Sequence, residues 1–160
     1  MHSEPEVLKK RLDRRVDKML DGGLWEEVKE MERLASTMGA ETVEDNAGLF
    51  QSIGFKEFKE CLRLQKSGPH DAEAMATAKT TALDDMKAAT RRYAKSQVRW
   101  VRVKFINALE SAQKALPTGE TSSLYLMDST DVPAFGKNVT DNAAKITEGR
   151  HTPDSWPSFC

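Results

Sequence analysis

The stretch "ATRRYAKSQVRW", residues 89–100, places four cations and two large aromatics in twelve positions with no acid among them. On a helix turning about 100° per residue, with Arg91 at zero, Lys87 falls near −40°, Lys95 near 40°, Arg99 near 80° and Arg102 near 20°. Five cations therefore share one stripe about 120° wide. From Lys87 to Arg102 it runs about 22 Å at 1.5 Å per residue, enough to follow several phosphates of a nucleic-acid backbone. Met86, Ala89, Tyr93 and Trp100 fall on the opposite side, where they are expected to meet a core. A plain solvated face is the alternative. Such faces mix signs to gain i,i+4 pairs of a few tenths of a kcal/mol, and this one repels itself instead. Polyanion binding fits the pattern better.

Two further stretches carry residues with chemical potential. In the first helical segment Arg15 falls at about −20° on a wheel with Leu8 at zero and Met19 near 20°, at the edge of the apolar stripe. Covered there, a guanidinium needs a partner, either a structural carboxylate or an anionic ligand, because burying it unpaired costs several kcal/mol. Arg11 and Arg14 point further from the stripe. The other stretch is "QSIGFKEF", residues 51–58. Its glycine, Gly54, precedes a helix and would let a ligand approach the backbone, with Gln51, Ser52 and Lys56 as donors and Phe55 and Phe58 free to pack. A simple turn before a helix has the same composition.

The elements that position these residues are mostly helical. The chain has 160 residues, 39% hydrophobic and 31% charged, enough for one domain with a core. Few Gly and Pro and many Ala, Leu, Lys and Glu favour helix. A net charge of −1 conceals an asymmetry: residues 87–104 carry seven Lys/Arg and no acid, whereas residues 1–86 carry 13 against 18. No apolar run spans a membrane and the start has no apolar secretion core, so an intracellular chain is expected. Cys61 and Cys160 lie far apart without close Cys or His partners, which argues against a disulfide framework or a zinc site.

Leu8, Leu12, Val16, Met19 and Leu20 predict a first helix stopping at Gly22-Gly23, and Leu24, Val28, Met31 and Ala35 a second. "STMGAETVEDNAG" reads as a polar loop. Phe55, Phe58 and Leu62 mark a shorter third helix ending near "KSGPHD". Asp71 is the expected N-cap of a long helix reaching Leu116, where Pro117 and Gly119 break it. "SSLYLMDS" predicts a short strand near 123–128, with no second strand in sight to pair it, followed by a weak helix near 139–148. The tail "RHTPDSWPSFC" has no periodicity. The expected division is 1–116 as the helical contact-making part, 117–150 as linker, strand and helix, and 151–160 as irregular tail.

In order and spacing, "RLDRRVDKMLDGGLWEEV", "QSIGFKEF" and "ATRRYAKSQVRW" resemble the second half of the tRNA dimethylallyltransferases, also called tRNA isopentenyltransferases. The likeness covers about residues 5–105, and "LYLMDSTD" is similar to the strand that follows in eukaryotic, especially fungal, members. The resemblance implies transfer of a dimethylallyl group from dimethylallyl diphosphate to N6 of the adenosine 3′ of the anticodon. It assigns Arg15 to stabilising the diphosphate. It assigns tRNA contacts to Gln51, Ser52, Ile53, Gly54, Phe55 and Lys56, and to Lys95, Ser96, Gln97, Arg99, Trp100 and Arg102, with Arg91 joining them on the stripe. Where the family usually has Lys-Arg-Gln this chain has Lys95-Ser96-Gln97, so one cation is absent there.

The family's Gly-rich phosphate loop and early general-base Asp are not matched: "GGLWEE" and "PTGETSS" lack the Gly-Lys-Ser/Thr ending and a preceding strand. The expected fold is therefore mainly α, the helical C-terminal part of a P-loop-NTPase-like α/β enzyme, with one short strand near 123–128 and the rest of the sheet absent. By the same resemblance dimethylallyl diphosphate is the substrate, Mg2+ belongs to the complete enzyme, and neither is held by this chain alone. The implied partners are the tRNA anticodon stem-loop and an N-terminal phosphate-loop half, with no membrane. Cytoplasmic, mitochondrial and nuclear locations all suit the family. Two other classes fit the residues: a non-catalytic RNA-binding helical module, and a helical protein whose stripe meets an acidic partner.

Overall fold

The computed structural model describes residues 2–37, 52–67, 72–115 and 124–149. Among them six α-helices form: α1 (Pro5–Asp21), α2 (Leu24–Thr37), α3 (Lys59–Lys66), α4 (Ala72–Trp100), α5 (Ile106–Ala115) and α6 (Asp141–Thr147). The chain divides into two compact units, one of residues Lys9–Ala112, the other of residues up to Leu8 and from Gln113 onward.

In the Lys9–Ala112 unit the core follows from apolar spacing. Val16 of α1, Leu24 and Val28 of α2, Phe55 and Phe58 of the turn before α3, Cys61 and Leu62 of α3, and Ala82 and Met86 of α4 are buried together. Met19, Trp25, Met31, Ile53, Met75, Ala78 and Leu83 pack around them. On α4 the positions 75, 78, 82, 83 and 86 keep to one side at helical spacing, the signature of a helix laid on a core. The α1–α2 turn is closed by Gly23 at φ 104°, a value a side chain rarely tolerates. Its carbonyl accepts from the Glu26 and Glu27 amides, which starts α2.

The expected long helix is continuous from Ala72 to Ala115 but not uniformly α. Residues Val101–Phe105 make a π-turn, in which the Ile106 amide donates to the Val101 carbonyl five residues back. The Asp71 cap, Leu116 and the Pro117-Gly119 break lie outside the described residues, as do most of the polar loop after Thr37 and the tail from residue 150.

In the other unit the short strand expected near 123–128 is reduced to an isolated bridge. Its first residue lies outside the described set, residues 124–127 take no regular structure, and no strand forms among the described residues. Asp128 instead bridges His2 in parallel: the His2 amide donates to the Met127 carbonyl and the Ser129 amide to the His2 carbonyl, both at 2.7 Å. The pairing partner that the sequence did not reveal is thus the chain's own second residue. It cannot grow into a ladder, because the Glu4 amide is taken by the Thr130 hydroxyl at 3.0 Å and Pro5, which has no N–H, starts α1. The weak helix expected near 139–148 is present as a π-turn, Gly136–Thr140, leading into α6. Among the described residues no helix is long and apolar enough to cross a membrane.

Candidate nucleic-acid interface

The cationic stripe on α4 is two different surfaces. At its start Lys87 Nζ lies 2.6 Å from the Asp17 carboxylate and Arg91 Nη1 lies 2.6 Å from that of Asp13. The acids are four residues apart on α1 and the cations four apart on α4 in the reverse order, so the two helices run antiparallel with a two-rung ladder between them. The Asp17 hydrogen bond pushes the Lys87 pKa up. The Arg91–Asp13 rung is partly covered, at 34% and 29% side-chain exposure; in the other, Lys87 is 22% and Asp17 53% exposed.

Beyond them the surroundings change. Every residue from Lys95 to Phe105 is exposed. Lys95, Arg99, Arg102 and Lys104 have no hydrogen-bond or ion-pair partner among the described residues, and neither has Arg92. Tyr93 and Trp100, expected on a core face, are 58% and 54% exposed. Their spacing does continue the row of partly buried Met75 and buried Ala82 and Met86, yet among the described residues they stay more than half exposed. Val98, Val101, Val103 and Phe105 are exposed as well, and the Trp100 and Phe105 rings stack with centroids 6.2 Å apart. Ser96, in the place of the family's arginine, turns its hydroxyl back to the Tyr93 carbonyl at 2.7 Å.

Arg15 is exposed and has no partner among the described residues. The edge position expected for it is corrected by the location of the contact. Val16, 1% exposed, is the buried centre of α1, and one residue back along a helix is about 100° away. Neither a structural salt bridge nor burial occupies the guanidinium.

The turn at residues 52–58 has a structural job first. Gly54 has φ 115°, and a Cβ there would sit 3.4 Å from the Met86 methyl and 3.8 Å from Leu24. The glycine thus faces the core, whereas the sequence suggested an approach for a ligand. Its amide donates to the Glu57 carboxylate at 2.8 Å, closing the turn. Phe55 and Phe58 are buried and Ile53 packs beside them. Ser52 and Lys56 are left at the surface; Gln51 lies outside the described residues.

Several cations on α2 and α3 are neutralised locally, unlike Arg15 on α1. Along the groove between α2 and α3, Lys29 pairs with Glu26, Arg33 with Glu30 and Lys66 with Glu32. The unpaired cations of Lys95–Lys104 therefore stand out by environment as well as by number. Sequence reasoning missed Asp13 and Asp17 as partners and left out Arg92 and Lys104. Two acids four residues apart in a strongly basic helix were the available signal. Among the described residues no group of three or more His, Cys, Asp or Glu could hold a metal ion.

Comparison with known proteins bears on this surface. Residues 1–104 match the family model described as IPP transferase. The tRNA dimethylallyltransferases of Mus musculus and Homo sapiens are each 32% identical over 98% of this chain, and that of Schizosaccharomyces pombe is 38% identical over 70% of it. The chain spans about a third (32%) of the length of the mouse and human relatives. A solved eukaryotic dimethylallyltransferase acting on tRNA is similar at TM-score 0.70 and 27% identity, over 96% of this chain and 33% of that one.

Proposed function

We propose, from the premise that this chain belongs to the IPP transferase family, that it supplies the tRNA-gripping helix and one diphosphate ligand of a tRNA dimethylallyltransferase. The observation that carries the reading is the run Lys95–Phe105, every residue of it exposed, holding no acid and four cations without a partner among the described residues.

In this reading Lys95, Arg99 and Arg102 contact phosphates of the anticodon stem-loop, with Gln97 and Trp100 beside them, and Ser52 and Lys56 contribute from the turn that packs at Met86. Lys104 extends the run. Buried Phe55 and Gly54, with partly buried Ile53, hold that turn in shape, and Gln51 is assigned with them on resemblance alone. Ser96 adds no charge. Arg91 is held by Asp13 instead of standing free. Exposed Trp100 offers a face on which an unstacked base can lie, an interaction of about 1–3 kcal/mol per base. The target adenosine has to leave the stack before its N6 can react.

The chemistry breaks the C–O bond between the dimethylallyl carbon and diphosphate and forms a C–N bond to N6, which loses a proton to a base outside this chain's described residues. Negative charge gathers on the departing diphosphate, and the free guanidinium of Arg15 is suited to stabilise it. The Mg2+ implied for the complete enzyme finds no holding group among the described residues, and no step here runs through it.

The test is binding of this chain to an anticodon stem-loop with an unpaired adenosine 3′ of the anticodon, and to the same loop with that base replaced. Binding should weaken linearly with log salt, with a slope of about 0.7–0.9 per phosphate neutralised, and should prefer the adenosine. Salt-dependent binding without the preference would favour the non-catalytic RNA-binding module. Absence of RNA binding would overturn both. In the whole enzyme, Arg15→Ala should raise the KM for dimethylallyl diphosphate while leaving tRNA affinity unchanged.

A further inference from the structure

We infer that Asp13 and Asp17 mask the first part of the α4 stripe, acting as built-in stand-ins for phosphate that keep Arg91 and Lys87 from nucleic acid and confine the gripping surface to Lys95 and beyond. This rests on the RNA-binding reading of that surface. The sequence alone gives a continuous row of five cations from Lys87 to Arg102. The structure divides that row at Arg91 by placing a carboxylate 2.6 Å from each of the first two cations.

Neutralisation is the reason the division matters. A free cation meeting RNA displaces a counterion from the phosphate backbone, and that release drives salt-dependent, sequence-independent binding. A cation already paired has that role filled. To recruit it, a phosphate would have to displace the aspartate and then sit beside a bare carboxylate of like sign. The Arg91–Asp13 rung, partly covered on both sides, is shielded from salt more than a fully exposed pair, whereas half-exposed Asp17 leaves the Lys87 rung more open to screening. The unmasked run from Lys95 to Lys104 is only about 14 Å long, against about 22 Å for the whole stripe. A shorter grip leaves less affinity for arbitrary RNA and makes discrimination depend on the part of the surface that carries Gln97 and Trp100.

The sign of the expected effect separates masking from a purely structural role. Removing the acids should strengthen RNA binding, although it removes an interhelical contact. For Asp13→Asn with Asp17→Asn, the slope of log K against log salt should steepen by roughly 1.4–1.8, two cations' worth, with several-fold tighter binding at low salt and a narrower preference for the matched stem-loop. The complementary variant, Lys87→Gln with Arg91→Gln, should keep the wild-type slope. It serves as well if the double aspartate variant loses far-UV helicity. A wild-type slope in a folded double aspartate variant, or a slope reduced by about 1.4–1.8 in the double glutamine variant, would overturn the mask and leave the RNA-binding reading standing. Wild-type protein that does not bind RNA would remove the underlying reading first.

Discussion

Between Met75 and Met86, α4 repeats apolar side chains at helical spacing and lays them on the core, whereas between Lys95 and Phe105 the same rod exposes every residue. Just past the first stretch Lys87 pairs with an acid from α1; among the described residues the second pairs none of its four cations. One element thus serves two solvents, a protein interior and a surface prepared for charge. What separates them is packing: the apolar row continues past Met86 into Tyr93 and Trp100, which among the described residues are left more than half exposed.

The contrast would break first at the core. Phe58 is fully buried, so Phe58→Ala should destabilise the unit by about 3–5 kcal/mol in urea unfolding, through lost burial and the cavity left behind. A loss below about 1 kcal/mol would mean that the first stretch is no better packed than the second. The next largest effect belongs to the exposed run. Lys95→Glu with Arg99→Glu should reduce the salt slope of RNA binding by about 1.4 or more and weaken affinity at least about tenfold, with helicity retained. Trp100→Ala sharpens the comparison on one residue. Its stability change should stay within about 0.5 kcal/mol, while RNA affinity falls by up to about 1–3 kcal/mol if a base stacks there. A large stability loss would show that Trp100 is packed after all.

Much of this was legible in the sequence, and the failures have a common cause. Helix positions followed from local information: apolar spacing for α1, α2 and α4, and Gly22-Gly23 for the first break. The basic stripe was visible because charge of one sign needs no partner to be counted. Partners were not visible. Asp13 and Asp17 reach Arg91 and Lys87 across more than sixty residues of sequence, and the His2–Asp128 bridge closes across a greater separation. Tyr93 and Trp100 were misplaced for the same reason, since a helical wheel reports which residues share a side and not whether anything covers that side. Gly54 shows the limit at short range: its need for positive φ was readable, its contact with Met86 was not.

The smallest effects concern pH, and they separate the α1–α4 ladder from the ion pairs on α2 and α3. Lys87 has its pKa raised by the Asp17 hydrogen bond. Its contribution to stability is therefore complete below the ordinary lysine value of about 10.4 and is lost as pH rises through the higher folded value. Glu26, Glu30 and Glu60 have theirs lowered by hydrogen bonds from Lys29, Arg33 and Arg63, so their contribution is complete above the ordinary value of about 4.3 and is lost as pH falls through the folded values. These glutamates are exposed and screened, so the acid-side loss should be slight. Wild-type stability alone would be ambiguous at high pH, because burial also pushes up the pKa of the Cys61 thiol. The comparison with Asp17→Asn removes that ambiguity: wild type should be the more stable by urea midpoint at pH 7, and the gap should close once pH passes the folded value of Lys87. A gap that persists there would mean that Asp17 supports the interface by packing rather than by charge, and the lower rung would then be no ion pair in function.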